Sequence, residues 1–231
     1  MKAAVVTFPG SNCDRDCLHV AGNVVGAEAV SVWHQDSELP AGVTGVILPG
    51  GFSYGDALRA GSIAAHSPVM AAVKRFADKG GAVLGICNGF QMLCESQLLP
   101  GALAPNRDGH FICKDVLMTV EPSVGLTGAY DAGQTVTMPV AHGEGRFVVD
   151  DDTLKNIEAG DGPVRVAFRY QQRETDGTAS LNGSTAGIAG LVGGPSFNVV
   201  GLMPHPERCA EDRLGGTDGL ALMAALAGGA K

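Results

Sequence analysis

The first hundred residues alternate short apolar runs with amphipathic segments, and this alternation restricts the possible folds more than any other feature. Largely apolar runs rich in β-branched residues cover residues 3–8, 27–33, 45–51 and 82–86. Runs of this length and character are typical of strands buried on both faces of a sheet. Segments with helical spacing follow three of them, at residues 14–25, 67–81 and 88–96. This order predicts an α/β fold with a doubly wound, mostly parallel sheet flanked by helices.

The second half of the chain has a different pattern. Short β-rich pieces separated by glycine, aspartate and asparagine cover residues 111–120, 136–142, 146–150, 164–170, 186–192 and 198–203. They predict further strands, some of them antiparallel, added to the same sheet or to one of its edges. Residues 217–229 then predict a closing helix. Because no repeat or low-complexity linker divides the chain, we expect one domain over residues 1–231.

Composition argues against several classes of function. The chain has 16 Lys and Arg against 24 Asp and Glu, and this net charge of −8 argues against a nucleic-acid or anionic-membrane surface. No apolar stretch approaches the ~18 residues of a membrane helix. The first residues also lack a signal-peptide core, so we expect a cytoplasmic protein. The motifs G-x-x-x-x-G-K-[ST] and G-x-G-x-x-G do not occur, so we expect no nucleotide cofactor in this chain.

The six cysteines are expected to be thiols, because they are spread through a chain without a secretory signal. Cys13, Cys17 and His19 are spaced so that they could contribute metal ligands. A second compact Cys/His pair of the kind used by structural zinc sites is missing, and we therefore predict no metal site. For Cys13, near the start of the first helix, and for Cys94, within a later helix, we expect structural roles.

Cys87 lies at a predicted turn between a strand and a helix. It is flanked by Gly85 and Gly89 in "GICNG", the thiol version of a nucleophile elbow. Glycines at these positions allow the strand and the helix to pack closely, while the middle residue takes a strained conformation. The start of the helix would favour a thiolate at Cys87. From this pattern alone, a buried and unreactive cysteine remains the alternative.

A candidate base for Cys87 occurs in "MPHPE". His205 is followed by Pro206, which biases it towards an extended conformation. In an extended segment, residues i and i+2 point to the same side, so Glu207 can lie beside the imidazole and fix its tautomer. Taken separately, His205 could be a histidine packed at a strand end, and Glu207 could be a solvated carboxylate. Together with Cys87 they predict a catalytic triad.

Acyl transfer also needs donors for the developing oxyanion. The apolar run at residues 45–51 ends in Gly50 and Gly51, where a backbone N–H group can approach a ligand without obstruction. The second donor would be the N–H group of Asn88, the residue after the nucleophile. From the residues alone, the sequence therefore predicts an acyl-transfer enzyme with a cysteine triad.

The motifs "PGGFSYGD", "GICNGFQ" and "PHPE" follow one another in an order that resembles the class I (triad) glutamine amidotransferases. The resemblance extends over essentially the whole chain and implies a flavodoxin-like core. Flanking segments such as "FPGSNCDRD", "AHGEGRF" and "LNGSTAGIAGLVG" are similar to one branch of that class. Its members are the glutaminase subunits that serve the amination of formylglycinamide ribonucleotide in de novo purine synthesis.

The resemblance implies that Cys87 attacks the side-chain amide of glutamine, with His205 as general acid and base and Glu207 orienting it. Gly51 and Asn88 would supply the oxyanion N–H groups. Residues implied in glutamine binding are Gly50, Phe52, Gln91, Gly143 and Glu144.

The resemblance also implies partners. Ammonia would pass to a separate synthetase subunit that uses ATP and Mg²⁺, and a small third subunit would bridge the two. Three other interpretations remain open at this point. The chain could be the glutaminase of a different amidotransferase, an α/β cysteine hydrolase without glutamine chemistry, or a silent regulatory module that binds glutamine. The intact Cys87, His205 and Glu207 argue against the last one.

Overall fold

A computed structural model describes residues 1–121, 124–171 and 181–228 of the chain. The strands are β1 (Lys2–Thr7), β2 (Glu28–Trp33), β3 (Gly45–Leu48), β4 (Ala82–Ile86), β5 (Ala102–Ala104), β6 (Ile112–Val120), β7 (Thr135–His142), β8 (Arg146–Val148), β9 (Arg165–Tyr170), β10 (Ile188–Gly193) and β11 (Val199–Leu202). The helices are α1 (Asp14–His19), α2 (Pro68–Asp78), α3 (Asn88–Glu95), α4 (Asp151–Ala159) and α5 (Leu220–Gly228). Gly229, the last residue of the predicted closing helix, lies outside the described residues.

One large sheet organises the described part of the chain. It has nine strands in the order β2-β1-β3-β4-β11-β10-β9-β6-β7. The first five are mutually parallel, and the pairings from β11 through β10, β9 and β6 to β7 are all antiparallel. Seven of the nine strands therefore run in one direction. The predicted α/β sheet flanked by helices, with added strands in the second half, is confirmed.

The strands in the middle of the parallel half are apolar because both of their faces are covered. Every residue of β3, β4 and β11 is buried. The helix α2 begins after Ser67 with proline at its first position, as the sequence predicts, and buries its apolar face. No helix in residues 1–121, 124–171 or 181–228 is long and apolar enough to cross a membrane.

The structure departs from the sequence predictions at three places. The predicted helix over residues 14–25 is α-helical only in α1 and continues as a π-helical turn, Val20–Val24, in which the Val25 N–H group bonds to the Val20 carbonyl. The piece at residues 146–150 contributes β8, which pairs with β5 in a small separate sheet. The helix α4 was not predicted, although Asp150 caps it by accepting a bond from the Thr153 N–H group.

The carboxyl ends of neighbouring parallel strands lie at one edge of the sheet, where α/β proteins bind their ligands. β1, β3, β4 and β11 are adjacent there. The segments that follow them contain Cys13, Gly51, Cys87 and His205, respectively. β7 runs in the same direction, so the turn after it, with Glu144, reaches the same edge. Sheet topology thus collects residues separated by nearly the whole length of the chain.

The close packing of α3 against the end of β3 can be tested by substitution. A Cβ atom at Gly89 would lie 2.0 Å from the Leu48 carbonyl oxygen. We expect Gly89→Ala to lower the free energy of unfolding by about 1–3 kcal/mol, the usual cost of overpacking, as measured by urea denaturation. A Cβ atom at Gly128 would meet nothing within 4 Å. Gly128→Ala is therefore the matched control, with an expected change below about 0.5 kcal/mol. Equal stability of the two variants would contradict the packing argument.

Candidate active site

Cys87 occupies a strained position between β4 and α3. Its backbone has φ 50° and ψ −104°, a conformation that a residue with a Cβ atom rarely adopts. The flanking glycines make the turn possible, because a Cβ atom at Gly85 would lie 2.6 Å from the Gly89 carbonyl oxygen. Cys87 directly precedes Asn88, the first residue of α3, so its side chain is held at the start of that helix. The local geometry is that of the predicted elbow.

His205 and Glu207 form a buried pair in the segment after β11. The His205 Nδ1 atom lies 2.6 Å from the Glu207 Oε1 atom, and the two residues are 2% and 1% exposed. The backbone of His205 is tied to β7, because its N–H group donates to the Pro139 carbonyl at 2.8 Å. Burial disfavours the imidazolium, but the Glu207 carboxylate, with Cys13 and Cys87, outweighs it and raises the pKa of His205 well above its usual value.

The free nitrogen of His205 is available on the side of Cys87. A cavity of about 120 Å³ is lined by both residues, together with Gly51 and Phe52. The His205 Nε2 atom is buried and finds no hydrogen-bond partner among the described residues. A base with one nitrogen fixed by a carboxylate and the other directed towards a thiol is what proton transfer to and from sulfur requires.

The two predicted oxyanion donors lie at this cavity and at the start of α3. Gly51 lines the cavity, and its φ of +148° brings it so close to the loop after β1 that a Cβ atom would be 2.8 Å from the Gly10 carbonyl oxygen. Asn88 is the first residue of α3, where N–H groups have no intrahelical carbonyl to bind. The Asn88 side chain is also held, because it accepts from the Ser53 N–H group at 3.1 Å and donates to Gln91 Oε1 at 2.7 Å.

A second cavity of about 210 Å³ adjoins Cys87. Four of the residues expected to bind glutamine line it: Phe52, Gln91, Gly143 and Glu144. The turn after β7 is joined to α3 here, because the Gln91 amide donates to the Glu144 carbonyl at 2.6 Å. Gly50 does not line this cavity. It packs against the imidazole of His205, where a Cβ atom would be 2.7 Å from Cε1.

Sequence reasoning missed Asp56, which lines the second cavity with Glu144. Burial and the nearby Glu144 carboxylate raise the pKa of Asp56 to about 6, although a bond from the Asn88 amide opposes this shift. Asp56 lies in "PGGFSYGD", the same motif as Gly51. The motif could therefore have indicated Asp56, but only the fold shows that this residue lies at the cavity next to Cys87.

His142 also lines the second cavity and was missed as a separate candidate. Its Nδ1 atom lies 3.1 Å from the Asn106 Oδ1 atom. Burial and the nearby His205 lower the pKa of His142 to about 4, so its imidazole is neutral at physiological pH. The neutral His142 ring therefore adds no second positive charge close to the pair of His205 and Glu207.

Cys13 and Cys94 were both expected to be structural. Cys94 is buried within α3, and its thiol lies 3.6 Å from the Pro100 carbonyl oxygen. Cys13 instead lies at the candidate site, because its Sγ atom is 3.9 Å from His205 Nδ1. Arg208 donates to the same sulfur at 3.1 Å. Cys13 therefore belongs to the immediate environment of His205, in addition to its place at the start of α1.

Together, the doubly wound sheet, the strained strand-end cysteine and the adjoining His–Glu pair define an α/β protein with a cysteine–histidine–glutamate site. The model of the CobB/CobQ-like glutamine amidotransferase domain matches residues 1–214. The chain belongs to this family of glutamine amidotransferases. The resemblance to the class that the motifs indicated is thereby confirmed.

Curated relatives match nearly the full chain. The phosphoribosylformylglycinamidine synthase subunit PurQ of Bradyrhizobium diazoefficiens is 51% identical over 98% of this chain and 97% of the relative. The subunit of the same name from Trichormus variabilis is 53% identical over 98% of this chain and 96% of the relative.

Solved structures agree with the fold. A chain in the structure of PurLQS from Thermotoga maritima superposes with a TM-score of 0.83 and 41% identity, over 97% of this chain and 96% of that one. The glutaminase domain of Trypanosoma brucei CTPS with bound acivicin gives a TM-score of 0.61 at 13% identity, over 100% of this chain and 95% of that one. At that identity the second likeness shows the fold alone.

The raised pKa of Asp56 leads to a prediction about stability. An acid whose pKa is higher in the folded than in the unfolded state stabilises the fold at low pH, and this contribution is lost as the pH rises through the folded value. For Asp56 this stabilisation is lost as the pH rises from 3.8 to about 6. We therefore expect Asp56→Asn to melt at a higher temperature than the wild type at pH 8, with a difference that shrinks below pH 6.

Thermal denaturation at a series of pH values measures this difference. Asp108→Asn, at an exposed loop position, is the control and should show no such trend. A pH-independent effect of Asp56→Asn would contradict the assignment of the shift to its carboxyl group.

Proposed function

We propose that this chain hydrolyses glutamine to glutamate and ammonia through a thioester on Cys87, as the glutaminase subunit of phosphoribosylformylglycinamidine synthase. The observation that carries the proposal is the strained Cys87 beside a buried His205–Glu207 pair, in a chain about half identical to PurQ subunits over nearly its full length. The unit would be a single amidotransferase domain over residues 1–231, because the strands of one sheet come from residues 2 to 202.

The first half of the reaction transfers the glutamyl group to sulfur. His205 takes the thiol proton of Cys87 at Nε2, and the sulfur attacks the side-chain amide carbon of glutamine. The N–H groups of Gly51 and Asn88 stabilise the oxyanion that forms. The resulting imidazolium, held by Glu207, returns the proton to the leaving nitrogen, and ammonia departs. The raised pKa of His205 favours this transient positive charge.

The second half releases glutamate. His205 removes a proton from a water molecule, which attacks the thioester carbon, and the same N–H groups stabilise the second oxyanion. When the carbon–sulfur bond breaks, the imidazolium returns its proton to the Cys87 sulfur. Glu207 keeps the imidazole in one tautomer throughout, because it accepts the Nδ1 proton.

The second cavity suits the amino-acid end of glutamine. Its wall carries the carboxyl groups of Asp56 and Glu144, and burial together with the nearby Glu144 carboxylate raises the pKa of Asp56. An α-ammonium group placed between them would relieve this repulsion and form charge-assisted hydrogen bonds. Gln91 would hold the turn that carries Glu144, through its bond to the Glu144 carbonyl.

The ammonia would be delivered to a synthetase subunit that converts formylglycinamide ribonucleotide to formylglycinamidine ribonucleotide in de novo purine biosynthesis. ATP and Mg²⁺ would act in that subunit, and a small further subunit would bridge the two chains in the cytoplasm. This proposal is supported by the name of the relatives and by the similarity to a chain of a structure named PurLQS.

Cys87→Ala in the assembled synthase is the test of this assignment. We expect the variant to lose glutamine-dependent synthesis by a factor of at least about 10³, because no nucleophile remains. Synthesis from added ammonium salt should persist, since the synthetase site is in another chain. Cys113→Ala, at an exposed cysteine, is the control and should keep both activities. Persistent glutamine-dependent synthesis in Cys87→Ala would refute the nucleophile assignment.

A further prediction concerns recognition of the α-ammonium group. We expect Asp56→Asn to raise the KM for glutamine about tenfold or more, because a charge-assisted hydrogen bond contributes about 1.5–3 kcal/mol. A glutamine analogue without the α-amino group should be a poor substrate for both proteins, with similar kinetic constants. If the variant lost activity equally against glutamine and this analogue, Asp56 would not be the ammonium contact.

A further inference from the structure

A group of potential metal ligands lies on the side of His205 that faces away from its free nitrogen. Cys13, His205 and Glu207 each offer one ligand atom, and these atoms all lie within 4.8 Å of one another. All three residues are buried. Cys13 follows β1, whereas the other two follow β11, so tertiary structure alone creates this group. A thiol, an imidazole and a carboxyl group form a donor set that suits Zn²⁺.

The group retains unused donor capacity. Glu207 employs only its Oε1 atom in the bond to His205, while its Oε2 atom is buried and has no hydrogen-bond partner in the part of the chain that is described. The carboxylate can therefore turn to offer an oxygen to a cation. A buried polar atom without a partner is costly, and a ligand that satisfies it is correspondingly favoured.

The spacing between the Cys13 and His205 donors is close to what a cation needs. Zinc bonds of ~2.3 Å to sulfur and ~2.0 Å to nitrogen at a tetrahedral angle separate the two ligand atoms by roughly 3.5 Å. The Cys13 Sγ to His205 Nδ1 distance is 3.9 Å, so a shift of a few tenths of an ångström suffices. Cys13 and His205 both line the cavity of about 120 Å³, which therefore adjoins this group.

We propose that Cys13, His205 and Glu207 form an inhibitory site for a thiophilic divalent cation, with Zn²⁺ as the best chemical match. Binding at Cys13 releases the thiol proton to solvent. As the cation takes the lone pair of His205 Nδ1, the proton that this nitrogen shares with Glu207 is transferred through solvent to Nε2, so the imidazole stays neutral. The imidazole then carries its single proton on Nε2. A ring protonated there cannot accept the proton of Cys87, so the base is disabled.

Arg208 opposes the cation. Its guanidinium donates to the Cys13 sulfur at 3.1 Å and lies 3.9 Å from Glu207 Oε1, so its charge fills part of the space that the metal requires. Its side chain is 37% exposed and already contacts Asp16 at 3.4 Å. The guanidinium can therefore swing towards Asp16 when a cation enters. Removing its charge should strengthen metal binding.

Metal binding to the purified full-length chain is the experiment. Zn²⁺ is titrated in competition with a chromophoric chelator, and Co²⁺ is used to detect a thiolate charge-transfer absorption band. We expect one tight site in the wild type, and Cys13→Ser should weaken it at least ~10-fold and remove the Co²⁺ band. Arg208→Gln should bind more tightly. Circular dichroism and thermal melting would establish that each variant is folded.

Two controls separate this site from other thiols. Cys113→Ser, at the exposed cysteine, should bind Zn²⁺ as the wild type does. Cys87→Ala should also retain the site, because Cys87 faces the other nitrogen of His205. Unchanged binding in Cys13→Ser, or loss of binding in Cys87→Ala, would overturn the proposal.

Inhibition itself rests on the proposed glutaminase function and is measured separately. Micromolar Zn²⁺ should inhibit glutamine hydrolysis in the assembled synthase, and Cys13→Ser should need at least ~10-fold more metal for half inhibition. Tight binding without a measurable glutaminase reaction would contradict the proposed function but not the metal site. Inhibition with equal Zn²⁺ sensitivity in wild type and Cys13→Ser would overturn the role of Cys13.

Discussion

The close approach of α3 to the neighbouring strands β3 and β4 is the contact on which the rest of the site depends. Gly89 packs against the Leu48 carbonyl, and Gly85 packs against Gly89, at separations that leave no room for a Cβ atom. This packing turns the chain sharply enough to hold Cys87 at φ 50°. The strain is local, but the buried β3, β4 and β11 strands keep it in place, because relaxing the turn would open the core.

A second constraint is the burial of charge beside this turn. Glu207 is almost fully buried, and a carboxylate there is tolerated only with partners. His205 supplies a hydrogen bond, and the partly exposed Arg208 supplies a nearby positive charge. The same arrangement raises the pKa of His205 and brings a second thiol, Cys13, next to its ring. The features that raise the pKa of His205 thus also bring together a thiol, an imidazole and a carboxyl group, a donor set that suits a soft cation.

The antiparallel part of the sheet completes the site. Pro139, in β7, accepts a bond from the backbone of His205, and the turn after β7 is tied to Gln91 through the Glu144 carbonyl. The parallel half alone would leave both the segment with His205 and Glu207 and the second cavity without one wall. Two carboxyl groups, from Asp56 and Glu144, face this cavity from opposite halves of the chain. Burial and the Glu144 carboxylate both disfavour the charge of Asp56, so this cavity favours a cationic group.

Local patterns in the sequence determined the parallel half of the sheet, because apolar runs, helix caps and glycines act over a few residues. They also indicated the turn at Cys87 and the pairing of His205 with Glu207, which lie two residues apart in an extended segment. Local pattern did not reveal the π-helical turn after α1, the small sheet of β5 and β8, or α4. The proximity of Cys13 to His205 and of Asp56 to Glu144 was decided by tertiary structure alone. These pairs join segments 192 and 88 residues apart along the chain, and only the order of strands in the sheet brings such segments together.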